Sequence, residues 1–197
     1  MQKYQIIQYG SLNDTQKMQA VDIFLEGFGY MMTFSKDKKI LRKLFFEIMN
    51  PFLFKCYIEQ EQVLGIIGLG TNKIRPINFN CDVCVNLFGK FKGNILSKQM
   101  NAIFQAPAVK GEKDLYIDTL ATASQARSKG VATALLQHAF DTKEFEHCFI
   151  EVFSKNETAL RLYKKMGFSV YKEEKFSFVR FAVSSSGYPI KMKKELR

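Results

Sequence analysis

The chain has 197 residues, with 29 Lys and Arg against 19 Asp and Glu, and a net charge of +10. This length suits one domain with a sizeable core, and no run approaches the ~20 apolar residues of a membrane span. The positive balance suits an anionic partner, whether nucleic acid, membrane surface or phosphorylated cofactor, and equally a merely soluble surface.

The 19 phenylalanines and absence of tryptophan predict a Phe-rich core. Cys81-Asp82-Val83-Cys84 has redox or zinc spacing, but Cys56 and Cys148 stand alone and both histidines, His138 and His147, are distant. Reduced thiols and no metal are therefore expected. With no signal-peptide core after Met1, a cytoplasmic location is expected as well.

Residues 4–9 alternate weakly and predict a first strand, followed by turn chemistry at Gly10-Ser11-Leu12-Asn13-Asp14. Asp14 or Thr15 can cap a helix running through Phe28, with Met18, Val21, Phe24, Leu25 and Phe28 at helical spacing. Asp37 starts a second helix carrying Ile40, Leu41, Leu44, Phe45 and Ile48, which Asn50-Pro51 stops. Residues 52–59 and 63–69 predict an antiparallel hairpin around Gln60-Glu61-Gln62. Gly65, Gly68 and Gly70 lie inside a strand rather than before a helix, which predicts close packing or a bulge, not a nucleotide loop.

Over residues 73–113 Phe79, Val83, Leu87, Phe88, Phe91, Ile95, Met100, Ile103 and Phe104 recur at helical steps, interrupted by Gly89 and Gly93. One broken helix or two short ones, packed on the sheet and ending before Pro107, would follow, with Lys90, Lys92 and Lys98 outward. Then come a strand at 115–121, a helix at 130–140 and a strand at 145–153. Asn156 caps a helix over 157–166, and Gly167 with Phe168 ends it. Strand candidates at 169–183 and 188–195, joined by Ser184-Ser185-Ser186-Gly187, complete the chain. The order predicts one mixed α/β domain over 1–197, with a central mixed sheet of about six to seven strands and a helical insertion at 73–113.

Chemistry concentrates where the 115–121 strand feeds its helix. The free amides of a helix start, its dipole and a glycine that lets an anion approach make a phosphate cradle, and Arg127-Ser128-Lys129-Gly130-Val131-Ala132 stands there. One such junction is a weak signal, since many α/β folds use it for packing. In the next unit Asn156, Ala159 or Leu160, and Tyr163 share a helix face. Alone, they read as a cap and a half-buried aromatic.

Together the two units change the reading. Arg127-x-x-Gly130-x-Ala132 fits the pattern Gln/Arg-x-x-Gly-x-Gly/Ala, and Asn156 to Tyr163 followed by Met166-Gly167-Phe168 fits the next helix. On these motifs residues 115–168 resemble the GNAT superfamily of acyl-CoA-dependent N-acetyltransferases. The resemblance implies acetyl-CoA as co-substrate, held where two parallel strands splay apart. It implies that Leu120, Ala121 and Thr122 pair with the pantetheine arm, and that an amide near Leu120 polarises the thioester carbonyl. The amides of Arg127, Ser128, Lys129, Gly130, Val131, Ala132 and Thr133 would bind the pyrophosphate, with Asn156 and Ala159 lining the cofactor from the following helix. Tyr163 would protonate the departing thiolate, and Asp118 would take the amine's proton. The acceptor would be an amine of a small molecule or peptide, met by parts of 24–46, 79–104 and 176–190, with no nucleic acid or membrane involved. A monomer or homodimer suits this reading. A non-catalytic acyl-CoA-binding sensory module on the same fold is the alternative.

Overall fold

Local signals at the start of the chain set a strand and two helices. The computed structural model describes residues 4–175 and 186–197. β1 (Gln5–Gln8) leads to α1 (Asp14–Phe28). The cap of α1 is Asn13, one residue before the two predicted: its side chain accepts from the Gln16 amide, and Gln16 reaches back to the Asn13 amide. This reciprocal capping box satisfies two free helix-start donors at once, which Asp14 could not do with the same register. α2 (Lys38–Ile48) is capped by Asp37 as the sequence predicts, and buries Leu41, Leu44, Phe45 and Ile48.

β2 (Phe54–Glu59) begins two residues later than expected, because Phe52 is 68% exposed in a turn. The hairpin to β3 (Gln62–Gly70) closes on Gln60 and Glu61, both left-handed with φ 49° and 63°. That conformation matches the twist of a two-residue hairpin turn.

The ambiguous helical stretch is two helices, α3 (Cys81–Phe88) and α4 (Lys90–Phe104), separated at Gly89 with φ 83°. Gly93 does not interrupt α4. It is buried where the helices cross, and a Cβ there would lie 2.5 Å from the Cys84 carbonyl oxygen. The two helices pack on each other, and α3 on α2. Phe91 (83% exposed), Ile95 and Ile103 consequently face solvent rather than a partner layer.

β4 (Asp114–Thr122), α5 (Val131–Phe140), β5 (His147–Phe153), α6 (Glu157–Lys165), β6 (Ser169–Glu173) and β7 (Pro189–Glu195) follow. The expected continuation of the β6 region to 183 lies outside the described residues, as does most of the 176–190 acceptor segment. The strands form one seven-stranded sheet in the order β1-β2-β3-β4-β5-β7-β6, a mixed α/β fold. Among the described residues only β4 and β5 run parallel. Buried phenylalanines fill the α1–α2 side, with Phe24 and Phe45 rings 4.5 Å apart and Phe79 against Phe45.

Candidate active site

β4 is the strand on which the site is built. It pairs with β3, but Gly68 faces Thr119 while Leu69 faces Ile117, so Asp118 is the extra residue of a β-bulge. A bulge bends its strand and increases the local twist. On its other side β4 pairs with β5 from Asp114–His147 to Ile117–Ile150 and no further, although β4 continues to Thr122 and β5 to Phe153. The ladder ends where the bend begins, and the two strands part there.

Main-chain direction decides which residues can use the gap. The Ala123 amide donates to the Leu64 carbonyl of β3 at 3.0 Å. Peptide groups alternate along a strand, so Ala121 also turns toward β3, whereas Leu120 and Thr122 turn their N–H and C=O groups into the gap. Ala121 contributes a buried methyl, 3.4 Å from where a Cβ on Gly27 of α1 would stand.

At the end of β4 the chain turns through Ser128 (φ 62°) and Gly130 (φ 84°), both left-handed. The Ala134 amide to the Gly130 carbonyl, at 2.9 Å, is the first bond of α5. The amides of Val131, Ala132 and Thr133 precede it and have no partner within the helix. A Cβ built on Gly130 would meet nothing within 4 Å, so the junction is open to an approaching group. Helix-start amides, the dipole and open access fit a diphosphate. Val131 points inward, and its Cγ1 would lie 2.4 Å from a Cβ on Gly65, which explains that glycine. Lys129 is exposed on the loop. Arg127 reaches away to α1, where Nη2 donates to Glu26 Oε1 at 2.7 Å.

The second unit is arranged differently. Asn156 Oδ1 accepts the Ala159 amide at 3.2 Å, so the asparagine serves as the cap of α6. Tyr163 is 6% exposed and packs edge-on against Phe168, ring centroids 5.9 Å apart, and Phe168 packs in turn on Phe140 of α5. Burial pushes the Tyr163 phenol well above its ordinary value, so it stays protonated at any working pH.

Asp118 is not a free carboxylate. Arg75 Nε donates to Asp118 Oδ2 at 2.5 Å, with the two side chains 12% and 9% exposed. Burial pushes the Asp118 carboxyl up while Arg75 pulls it back, with a net upward direction. No hydrogen bond joins Asp118 to Tyr163 among the described residues, and each belongs to its own cluster.

Glu151, on β5 just past the end of the parallel ladder, was not among the predicted residues. Its side chain is 33% exposed, and its nearest cation is Lys191 of β7 at 3.8 Å. Burial raises its carboxyl above the ordinary range, Lys191 opposing, and Tyr116 on β4 feels its charge. A signal was present: Glu151 is the one carboxylate in the strand His147–Phe153, and two-residue alternation places it beside Phe149 on one face.

The sequence profile of the acetyltransferase (GNAT) family matches residues 29–168. The chain belongs to the GNAT acetyltransferase family. It is an acyltransferase, and GNAT enzymes draw their acyl group from acetyl-CoA. Among curated proteins none matches. Solved structures share the fold: the N-acetyltransferase from Staphylococcus aureus Mu50 has TM-score 0.63 and 16% identity, covering 96% of this chain and 99% of that one. A GCN5-related N-acetyltransferase from Kribbella flavida has TM-score 0.63 and 16% identity, with 98% of each chain covered. Histone acetyltransferase HPA2 and related acetyltransferase from Corynebacterium glutamicum has TM-score 0.59 and 18% identity, covering 98% and 96%. No described helix of this GNAT chain is long and apolar enough to cross a membrane, and the described residues hold no cluster of metal-ligating side chains.

Proposed function

We propose that this GNAT protein transfers the acetyl group of acetyl-CoA to an amine of a small molecule or peptide by direct attack. The observation that carries the reading is the parting of β4 and β5 after Ile117–Ile150, beside a helix start open at Gly130. Leu120 and Thr122 bind the extended pantetheine arm by main-chain hydrogen bonds, and the amides of Val131, Ala132 and Thr133 hold the diphosphate, those of Arg127 and Lys129 being taken by the Ser124 and Ala126 carbonyls. Lys129 adds charge there, and Arg127 joins once it exchanges Glu26 for phosphate. Asn156 and Ala159 serve by fixing the start of α6. The co-substrate supplies a thioester acyl group.

The protein's own groups then manage protons and orientation. A primary amine attacks only when neutral, and holding it against the thioester supplies much of the rate. Asp118 is committed to Arg75, so proton removal falls to Glu151, directly or through water; its raised carboxyl pKa brings it nearer to a base's working range. An amide near Leu120 donates to the thioester carbonyl. Tyr163 is a proton donor to the departing thiolate; its burial keeps it protonated and also makes it a weaker acid than a free phenol, so it gives up the proton only to the charge developing on the sulfur.

The pairing of Asp118 with Arg75 favours a second reading, a non-catalytic acyl-CoA-binding sensory module. An acetyl-CoA-dependent thiol-release screen across amines, amino acids, aminoglycoside-like compounds and peptides separates the two. Turnover with any amine supports transfer. Tight acetyl-CoA binding without thiol release over the whole panel supports the sensory module.

A further inference from the structure

Arg75 lies in the connection between β3 and α3, outside every predicted site, and its side chain is only 12% exposed. Its Nε donates to Asp118 Oδ2 at 2.5 Å and its Nη1 donates to the Ala106 carbonyl at 2.5 Å. The guanidinium carbon stands 5.1 Å from the Tyr116 ring centroid. Three places meet in one side chain: the connection entering α3, the connection leaving α4, and the reacting strand at its extra residue. A planar fork can serve two acceptors at fixed angles, as a lysine cannot. Burying such a pair is roughly neutral for stability compared with apolar packing, so stability alone does not explain it.

We propose that Arg75 is a positioning residue: it clamps the bulge of β4 to the α3–α4 segment and thereby sets how far β4 and β5 open. The inference rests on the acyl-transfer reading and gives the helical segment a task within it. Asp118 is the handle by which the strand is held. Loss of the bulge would slip residues 119–122 by one position against β3, which would turn Leu120 and Thr122 away from the gap. The clamp lies at the bulge and not at the Gly130 junction, so it acts on the reaction and on the pantetheine contacts and leaves the diphosphate anchor in place.

The test compares Arg75→Gln, Arg75→Lys, Asp118→Asn and the double variant Arg75→Gln/Asp118→Asn, each assayed well below its melting temperature. Arg75→Gln is expected to lower kcat about tenfold or more, because small misplacement of reacting groups is costly, and to raise the acetyl-CoA KM through the pantetheine contacts of Leu120 and Thr122. Arg75→Lys should recover part of kcat. The double variant should fall no further than Arg75→Gln alone, since both changes undo one clamp. Hydrogen exchange at amides 119–122 should quicken in Arg75→Gln while that of β1 and β2 stays unchanged. Wild-type kcat in folded Arg75→Gln, multiplicative losses in the double variant, or a kcat loss that follows only the folded fraction would each overturn the proposal. If the wild-type chain binds acetyl-CoA but acetylates no amine, the transfer reading fails, and exchange alone decides the clamp: unaltered protection of 119–122 in Arg75→Gln refutes it.

Discussion

Tyr163 and Glu151 divide the proton work of the proposed reaction, and their surroundings suit opposite tasks. Tyr163 packs edge-on against Phe168, which rests on Phe140, and burial holds its proton on. Tyr163→Phe keeps the ring and its edge contact and removes only the donor. Turnover should drop about a hundredfold, within the usual range for one acid–base group, with acetyl-CoA affinity within about twofold. Because the phenol is pushed upward, kcat should show no basic limb from this group below the ordinary phenol pKa of ~10; steady-state rates between pH 6 and 10 check this.

Glu151 acts only when ionised, so kcat should rise as pH climbs through its raised carboxyl pKa and flatten above it. Glu151→Gln should remove that acidic limb and lower the plateau by about a hundredfold. An unchanged pH profile in the variant would take the base role from Glu151. Arg75 could not be found from spacing, since it and Asp118 are 43 positions apart and only the fold joins them. Asp118, by contrast, was visible on its strand, but its partner was not, and the partner changes its task.

At the scale of elements, Gly65 shows how the cradle depends on the strand beneath it. A Cβ there would come within 2.4 Å of Val131 Cγ1 and 3.1 Å of Leu135 Cδ1. Gly65→Ala should therefore push α5 off β3, at a cost of about 1–3 kcal/mol, and weaken CoA binding through the displaced amides. Denaturant unfolding and CoA titration of the same variant read both effects. Most elements were legible because glycine, proline and capping residues punctuate strong hydrophobic periods. The boundaries that moved did so for local reasons. Asn13 wins the α1 cap because Gln16 answers it, and Phe52 sits in the turn after Pro51 rather than in the strand. The apolar period of α4 was real, yet periodicity does not say which residues find a partner. Leu96 is buried while Phe91 and Ile103 are not.

At the scale of the molecule, the seven described strands are ordered so that the one parallel contact among them falls beside the bulge. The Arg127–Ala132 and Asn156–Phe168 motifs made the family readable, because their geometry is local to a strand–helix junction and a helix. The opening of the gap was not readable, since it arises from the bulge at Asp118 and the end of the β4–β5 ladder, which only strand pairing reveals. Part of the excess positive charge is assigned to the cofactor by this account: CoA is polyanionic, so its binding should weaken as salt screens the loop around Lys129, with a several-fold higher dissociation constant between low and ~0.5 M salt.

The proposed transfer depends on the Gly130 junction holding the diphosphate of CoA. Calorimetric titration of CoA into the wild-type chain and into Gly130→Glu tests it most directly. A side chain at φ 84° is strained, and its carboxylate would stand in the open approach to the amides. Saturable binding to the wild type, lost or weakened at least a hundredfold in a folded Gly130→Glu, is the predicted result; equal CoA affinity in the two proteins would contradict it.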